Sequence, residues 1–216
     1  MRRIWVAVIC VLLLVAAAAW SVFYATVGRN ILSDKLSAWA ERRGSPLLYR
    51  AALAVNPYDA EARLWLAEHW RKSGQLSRAE GLLREGAADY ALGPELFLAL
   101  AVMQVEDGRL DDACATLDGV PEGWLSRRVS LLRPENAQAP PSGSYAAGIA
   151  FPLEGGEGRA WYRLNQGLWT LYGAPLELQT GRHRLEVLTL DEHGVPSSVA
   201  EYRYMVEQLE HASALQ

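Results

Sequence analysis

The chain has 216 residues, a formal net charge of −4 and a hydrophobic fraction of 50%. Its mean hydropathy of −0.02 is high for a chain with 21% charged residues, which indicates that apolar residues are concentrated in one segment. The apolar content excludes intrinsic disorder as the overall state, two cysteines exclude a disulfide-rich domain, and the slight acidity argues against nucleic-acid binding.

The most apolar segment runs from Ile4 to Tyr24, in which Ser21 alone falls outside the apolar set. A helix of this length spans roughly 30 Å, the thickness of a bilayer core. Arg2 and Arg3 precede it. We therefore expect residues 1–25 to be a transmembrane signal anchor in a single-pass membrane protein, with the N-terminus cytoplasmic and the C-terminal domains extracytoplasmic.

The alternative for this segment is a cleaved secretory signal. Ala17, Ala18 and Ala19 supply the small residues of a cleavage site, so that cleavage near Ala19 would release a secreted protein. The residues after the alanines stay apolar, which favours the uncleaved anchor.

Residues of matching type recur at a spacing of 34 positions in the middle of the chain. The pairs are Leu66 and Leu100, Ala67 and Ala101, Gly74 and Gly108, Leu76 and Leu110, Ala79 and Ala113, and Leu83 and Leu117. In each copy the first two positions lie on one face of a helix, the glycine ends it, and the last three form the inward stripe of a second helix. The spacing predicts stacked helical hairpins.

This pattern resembles the tetratricopeptide repeat (TPR) family over about residues 29–120. A degenerate earlier copy includes Tyr49, and the sequence departs from the family pattern at Arg63, Gly86 and Gln104. The resemblance implies a helical repeat domain over residues 26–122, whose first helices line a groove for a protein or peptide partner. The groove residues it implies are Glu61, Leu64, Glu68, Arg71, Lys72, Glu95, Leu98, Val102, Val105 and Glu106.

The last third of the chain changes character. Prolines, serines and glycines predict a linker over residues 123–144. Apolar and polar residues then alternate, with turn signals about every 8–12 positions, which predicts a small antiparallel β-sandwich over residues 145–208. Residues 209–216 are expected to form a tail.

One run within this region resembles an immunoglobulin- or fibronectin III-like module. Its residues are Gly181, His183, Leu185, Val187, Asp191, Gly194 and Ser197. The closest resemblance is to the C-terminal domain of chitobiase and β-hexosaminidase proteins, which implies an accessory role. Four aromatic residues here suit stacking on sugar rings, or else packing in the strand core: Trp161, Tyr162, Trp169 and Tyr172.

The sequence offers no catalytic constellation, and no metal or cofactor is expected. His183 and His193 bracket a strand, but three or four converging ligands would be needed for a metal ion. We therefore expect an α + β multidomain chain that acts as a non-enzymatic, membrane-anchored scaffold of a bacterial envelope and binds a protein or peptide partner. The alternative is a cell-surface carbohydrate- or wall-binding accessory protein.

Overall fold

The computed structural model describes residues 2–89 and 93–208, and residues 2–11, 24, 26 and 89 by their backbone alone. The chain divides into two compact units, Met1–Leu92 and Gly93–Gln216. This division falls between the two copies of the 34-residue period, inside the predicted repeat domain. The predicted tail, residues 209–216, lies outside the described residues.

The first unit is helical apart from short turns. Its elements are α1 (Arg2–Phe23), a π-helical turn (Tyr24–Gly28), α2 (Arg29–Arg43), α3 (Pro46–Val55), α4 (Ala60–Lys72) and α5 (Leu76–Asp89). Small side chains let the helices approach closely, because Ala40, Ala52 and Ala62 form the core together with Tyr49 and Leu66.

Asp59 joins two helices of this unit, α2 and α4. Its Oδ1 accepts a hydrogen bond of 2.9 Å from the backbone N–H of Ala62 and so caps α4. Its Oδ2 accepts hydrogen bonds from Ser33 Oγ at 2.6 Å and Ser37 Oγ at 3.0 Å, both on α2. Ser33 Oγ also lies 3.3 Å from the carbonyl of Ala52 on α3. A single carboxylate therefore fixes the start of α4 against α2.

The second unit combines helices with two sheets. Its elements are α6 (Pro94–Glu106), α7 (Leu110–Asp118), α8 (Trp124–Leu132), β1 (Gly143–Ala146), β2 (Ala150–Phe151), β3 (Arg159–Leu164), β4 (Thr170–Leu171), β5 (Leu176–Glu177), β6 (Gly181–Leu190) and β7 (Ala200–Glu207). The main sheet has the strand order β1-β7-β6-β3-β4, and β2 pairs with β5 in a separate ribbon. β1 runs parallel to β7, and the other pairs are antiparallel.

The 34-residue period is visible in the helix boundaries. α4 and α6 begin at Ala60 and Pro94, and α5 and α7 begin at Leu76 and Leu110. In each copy a glycine with a left-handed backbone ends the first helix, Gly74 with φ 75° and Gly108 with φ 76°. Since a glycine with the same backbone geometry ends the first helix of both hairpins, the helical-repeat prediction is confirmed for these two copies.

The predicted membrane anchor is wrong in the structure. Over the residues that the structure describes, no helix has both the length and the apolar character needed to cross a membrane. A crossing helix needs about 20 apolar residues. The transmembrane part of the fold class and the single-pass localisation are corrected accordingly.

The predicted antiparallel β-sandwich is wrong as well, because the main sheet is open and is covered differently on its two faces. Leu185 and Val187 of β6 contact the core that holds Phe151 and the β2–β5 ribbon. Leu188 and Leu190 contact Leu110 and Cys114 of α7 instead. Neighbouring residues of a strand point to opposite faces, so β6 is buried on both sides by a ribbon and by a helical hairpin.

The segment expected to be a linker is tied to the sheet. It contains α8, and beyond that helix Arg133 Nε donates to the carbonyl of Pro196 at 3.1 Å. Asn136 Nδ2 donates to the carbonyls of Val187 at 2.9 Å and Ser198 at 3.0 Å. Residues 123–144 therefore contribute to the second unit over much of their length.

Candidate functional site

The first half of the predicted groove lies along α4 in the first unit. Leu64, Glu68 and Arg71 are half-buried, and Glu61 and Lys72 are exposed. Glu68 accepts two hydrogen bonds from Arg71, of 2.7 Å from Nε and 2.8 Å from Nη2. Lys72 Nζ lies 3.2 Å from the same carboxylate. Three of the five residues thus form one ion cluster on the last turns of α4.

This cluster predicts a pH-dependent contribution to stability. The hydrogen bond from Arg71 lowers the pKa of Glu68 from 4.5 to about 2. A carboxylate whose pKa is lowered by folding stabilises the folded state above its unfolded pKa and loses that effect as the pH falls through its folded pKa. Because the Glu68 side chain is 44% exposed, we expect Glu68→Gln to lower the free energy of unfolding by at most about 1 kcal/mol at neutral pH.

The measurement is urea unfolding of both proteins from neutral pH downward. The difference between them should shrink as the pH falls from 4.5 toward 2. Glu61→Gln, at an exposed position on the same helix, is the matched control. A difference that stays constant over this range would contradict the role assigned to the cluster.

The second half of the predicted groove lies on α6, in the second unit. Glu95 and Glu106 are exposed and Leu98 is half-buried. Val102 lies beside the turn at Gly194, where a Cβ on that glycine would meet Val102 Cγ1 at 3.8 Å. Val105 packs against the cluster that joins α7 to β6. Part of each valine side chain is therefore in contact with other residues of the second unit.

The four predicted stacking residues do not form one platform. Trp161 and Trp169 pack against the cluster of Leu110, Cys114, Leu188 and Leu190. Tyr162 and Tyr172 pack against the core on the other face of the sheet. Trp161 Nε1 is buried and has no hydrogen-bond partner among the described residues.

A cleft of about 520 Å³ opens between the α6–α7 turn and the loop that joins β3 to β4. We call it the tryptophan cleft; its lining residues are Val105, Gly108, Arg109, Leu110, Asp111, Asp112, Trp161, Gly167, Leu168, Trp169 and Leu190. It brings together one predicted groove residue, Val105, and two predicted stacking residues, Trp161 and Trp169. Leu168 is 90% exposed at this cleft.

Asp111 holds the helical side of the tryptophan cleft to the sheet. Its carboxylate accepts hydrogen bonds from Arg163 Nη1 at 2.9 and 3.0 Å and from Trp169 Nε1 at 3.2 Å. The Arg163 guanidinium lies 4.6 Å from the centre of the Trp169 ring and also donates to buried Glu186 at 2.5 Å. The hydrogen bond to Glu186 raises the pKa of Arg163, so this cation stays charged.

Sequence reasoning missed Asp111, Arg163 and Leu168 as members of a site. Asp111 and Arg163 are 52 positions apart, so no local pattern joins them. Leu168 gave no periodic signal because it lies in a loop. Across the part of the chain that the structure describes, no cluster of three or more His, Cys, Asp or Glu side chains is arranged to hold a metal ion.

Comparison with known proteins adds a likeness to a solved structure. No protein-family model matches the chain, and no curated protein matches it at a significant level. Among solved structures, a thermophilic TPR protein of Thermus thermophilus matches with 23% sequence identity and a TM-score of 0.33. The match covers 46% of this chain and 59% of that protein.

Proposed function

We propose that the chain is a non-enzymatic protein-interaction protein, and that its tryptophan cleft receives an apolar segment of a partner protein. The observation that carries this proposal is the composition of the cleft: aliphatic and indole side chains form its walls, and a nearly fully exposed leucine, Leu168, stands at it. Burying such a side chain contributes about 1.5–3 kcal/mol, which makes Leu168 a suitable anchor for a partner.

The geometry of the tryptophans favours a protein partner over a sugar. A sugar ring stacks on an open aromatic face, but one face of Trp169 is covered by Arg163 and its Nε1–H is bound by Asp111. Trp161 is packed against the cluster beneath the cleft. Apolar, aromatic and arginine side chains in one patch are the composition that protein interfaces prefer.

The helical hairpins support the same function. The chain contains two copies of one hairpin, each with a left-handed glycine after its first helix. Such copies are typical of helical-repeat proteins, which use their exposed helices to bind other proteins. The second copy supplies one wall of the tryptophan cleft through its α6–α7 turn.

The test is a pair of matched substitutions. A photoreactive residue placed at position 168 should form a crosslink to a defined protein in cells, and that protein is then used for affinity measurements. We expect Leu168→Asp to weaken binding of this partner by about tenfold or more, because a charge replaces an apolar side chain that would be buried in the complex. The thermal midpoint of unfolding should not change, because Leu168 is exposed in the free protein.

Leu131→Asp is the control, since Leu131 is 81% exposed on α8 and lies outside the tryptophan cleft. It should leave the affinity within about twofold of the unsubstituted protein. Equal losses for the two variants, or no loss for either, would rule out the cleft as the docking site.

A further inference from the structure

A second cleft of about 500 Å³ lies beside the start of β6 and the last residues of β7. We call it the arginine cleft; its lining includes the side chains of Arg182, His183, Arg184, Arg203, Tyr204 and Met205. No carboxylate is found among the described residues that line it. The cleft therefore offers concentrated positive charge beside apolar surface.

The carboxylates near this cleft are already shared among several cations. Glu201 lies 2.9 Å from Arg184 Nη2 and 2.8 Å from Arg203 Nε. Glu186 lies 3.0 Å from Arg184 Nη2 and is also bound by Arg163. These two carboxylates thus serve Arg184, Arg203 and Arg163, the last of which also binds Asp111, before Arg182 is counted.

Arg182 and Arg203 keep unused binding capacity. Arg182 is exposed and has no carboxylate partner in the described part of the chain. The Arg203 side chain is 80% exposed, and its residue lies directly opposite Arg184 in the β6–β7 ladder. Glu201 lies between these two like charges and binds Arg203 through its Nε alone, so the exposed Nη1 and Nη2 of Arg203 can bind a further anion. Arg184 Nε is buried without an acceptor among the described residues.

The spacing of these groups fits an extended chain. Arg203 lies opposite Arg184, two positions along β6 from Arg182, so Arg182 and Arg203 are diagonal neighbours on one face of the sheet, about 7–8 Å apart. Acidic residues at alternate positions of an extended peptide are about 6.6 Å apart, a separation that two long arginine side chains can match. A guanidinium group binds a carboxylate through two parallel hydrogen bonds, which gives such a pairing direction as well as charge.

We propose that the arginine cleft binds an extended acidic segment of a partner protein, with carboxylates on alternate residues paired to Arg182 and Arg203. This site is separate from the tryptophan cleft and does not require the function proposed for it.

The test uses the full-length chain and a fluorescein-labelled peptide of sequence Glu-Thr-Glu-Thr-Glu, measured by fluorescence anisotropy at low ionic strength. Arg182→Gln and Arg203→Gln should each weaken binding by about five- to tenfold, the loss expected for one charged hydrogen-bonded pair. Arg159→Gln, at an exposed arginine of β3 outside this cleft, should change it by less than about twofold. Added salt should weaken binding of the unsubstituted chain.

Three outcomes would overturn the proposal. The first is equal affinity for the peptide Gln-Thr-Gln-Thr-Gln, which would show that the carboxylates are not recognised. The second is a loss for Arg159→Gln as large as that for Arg182→Gln. The third is displacement of the peptide by millimolar inorganic phosphate, which would show a general anion site. Each result is independent of any change at Leu168.

Discussion

Replacing Arg63 by alanine is expected to lower the free energy of unfolding of the first unit by about 3 kcal/mol. Arg63 is only 2% exposed, yet it carries a full charge. Its Nη1 donates to the carbonyl of Leu82 at 2.8 Å and its Nη2 to the carbonyl of Pro57 at 3.1 Å. Removal would leave two carbonyl groups without these charged donors and loosen α4 from α5.

Hydrogen exchange during urea titration measures this effect where it arises, on the amides of α4 and α5. Arg50→Ala, at an exposed arginine of α3, is the control and should change stability by no more than about 0.5 kcal/mol. Arg63→Met keeps much of the side-chain volume without the donors. If this variant were as stable as the unsubstituted protein, packing of the stem would explain the role of Arg63 and the hydrogen bonds would not.

Adding one methyl group at Gly158 is expected to destabilise the second unit by about 3 kcal/mol or more. A Cβ on this residue would overlap the carbonyl oxygen of Leu190, and it would lie 2.7 Å from the carbonyl carbon and 3.0 Å from Asp191 Cα. These are backbone atoms at the end of the β3–β6 ladder, where Arg159 pairs with Leu190. They cannot move without disturbing the register of the central strands.

Thermal unfolding of Gly158→Ala measures this loss. Gly173→Ala is the matched control, because a Cβ there meets no atom within 4 Å and no left-handed backbone is required. That variant should be neutral or gain up to about 1 kcal/mol from the reduced freedom of the unfolded chain. Similar losses for both alanine variants would indicate that the close approach at Gly158 does not constrain the fold.

The helical hairpins were predictable because their signals are local. Gly74 and Gly108 end helices whose apolar stripes lie within a few turns on either side. The repeat period and the helix ends can therefore both be predicted from the same short segment. The role of Arg63 could not be predicted from the sequence, although this residue departs from the family pattern. Two of its acceptors are backbone carbonyls, which leave no trace in the sequence, and the carboxylate of Glu85, 3.6 Å from Nη1, is 22 positions away along the chain.

The covering of the sheet was not predictable from the alternation of residues. The run from Leu185 to Leu190 contains one acidic residue, Glu186, which is buried. A nearly continuous apolar strand is typical of burial on both faces, and that was the available signal. Which element covers the second face depends on contacts between α7 and β6, which are about 75 positions apart, a separation that local patterns do not report. The tryptophan cleft arises from the same long-range contact and was missed for the same reason.

The second repeat hairpin determines where the chain can be truncated without exposing the sheet. Residues Leu188 and Leu190 lose their cover if α6 and α7 are removed, because both pack on Leu110 and Cys114. A recombinant fragment that begins at Tyr145 would expose this leucine face to solvent and is expected to precipitate. A fragment that begins at Gly93 keeps the cover intact. Gene fusions and domain exchanges should therefore be joined between the two repeats, between Leu92 and Gly93. The repeat pattern places this point inside one helical domain, and the change from helix to strand comes later in the chain.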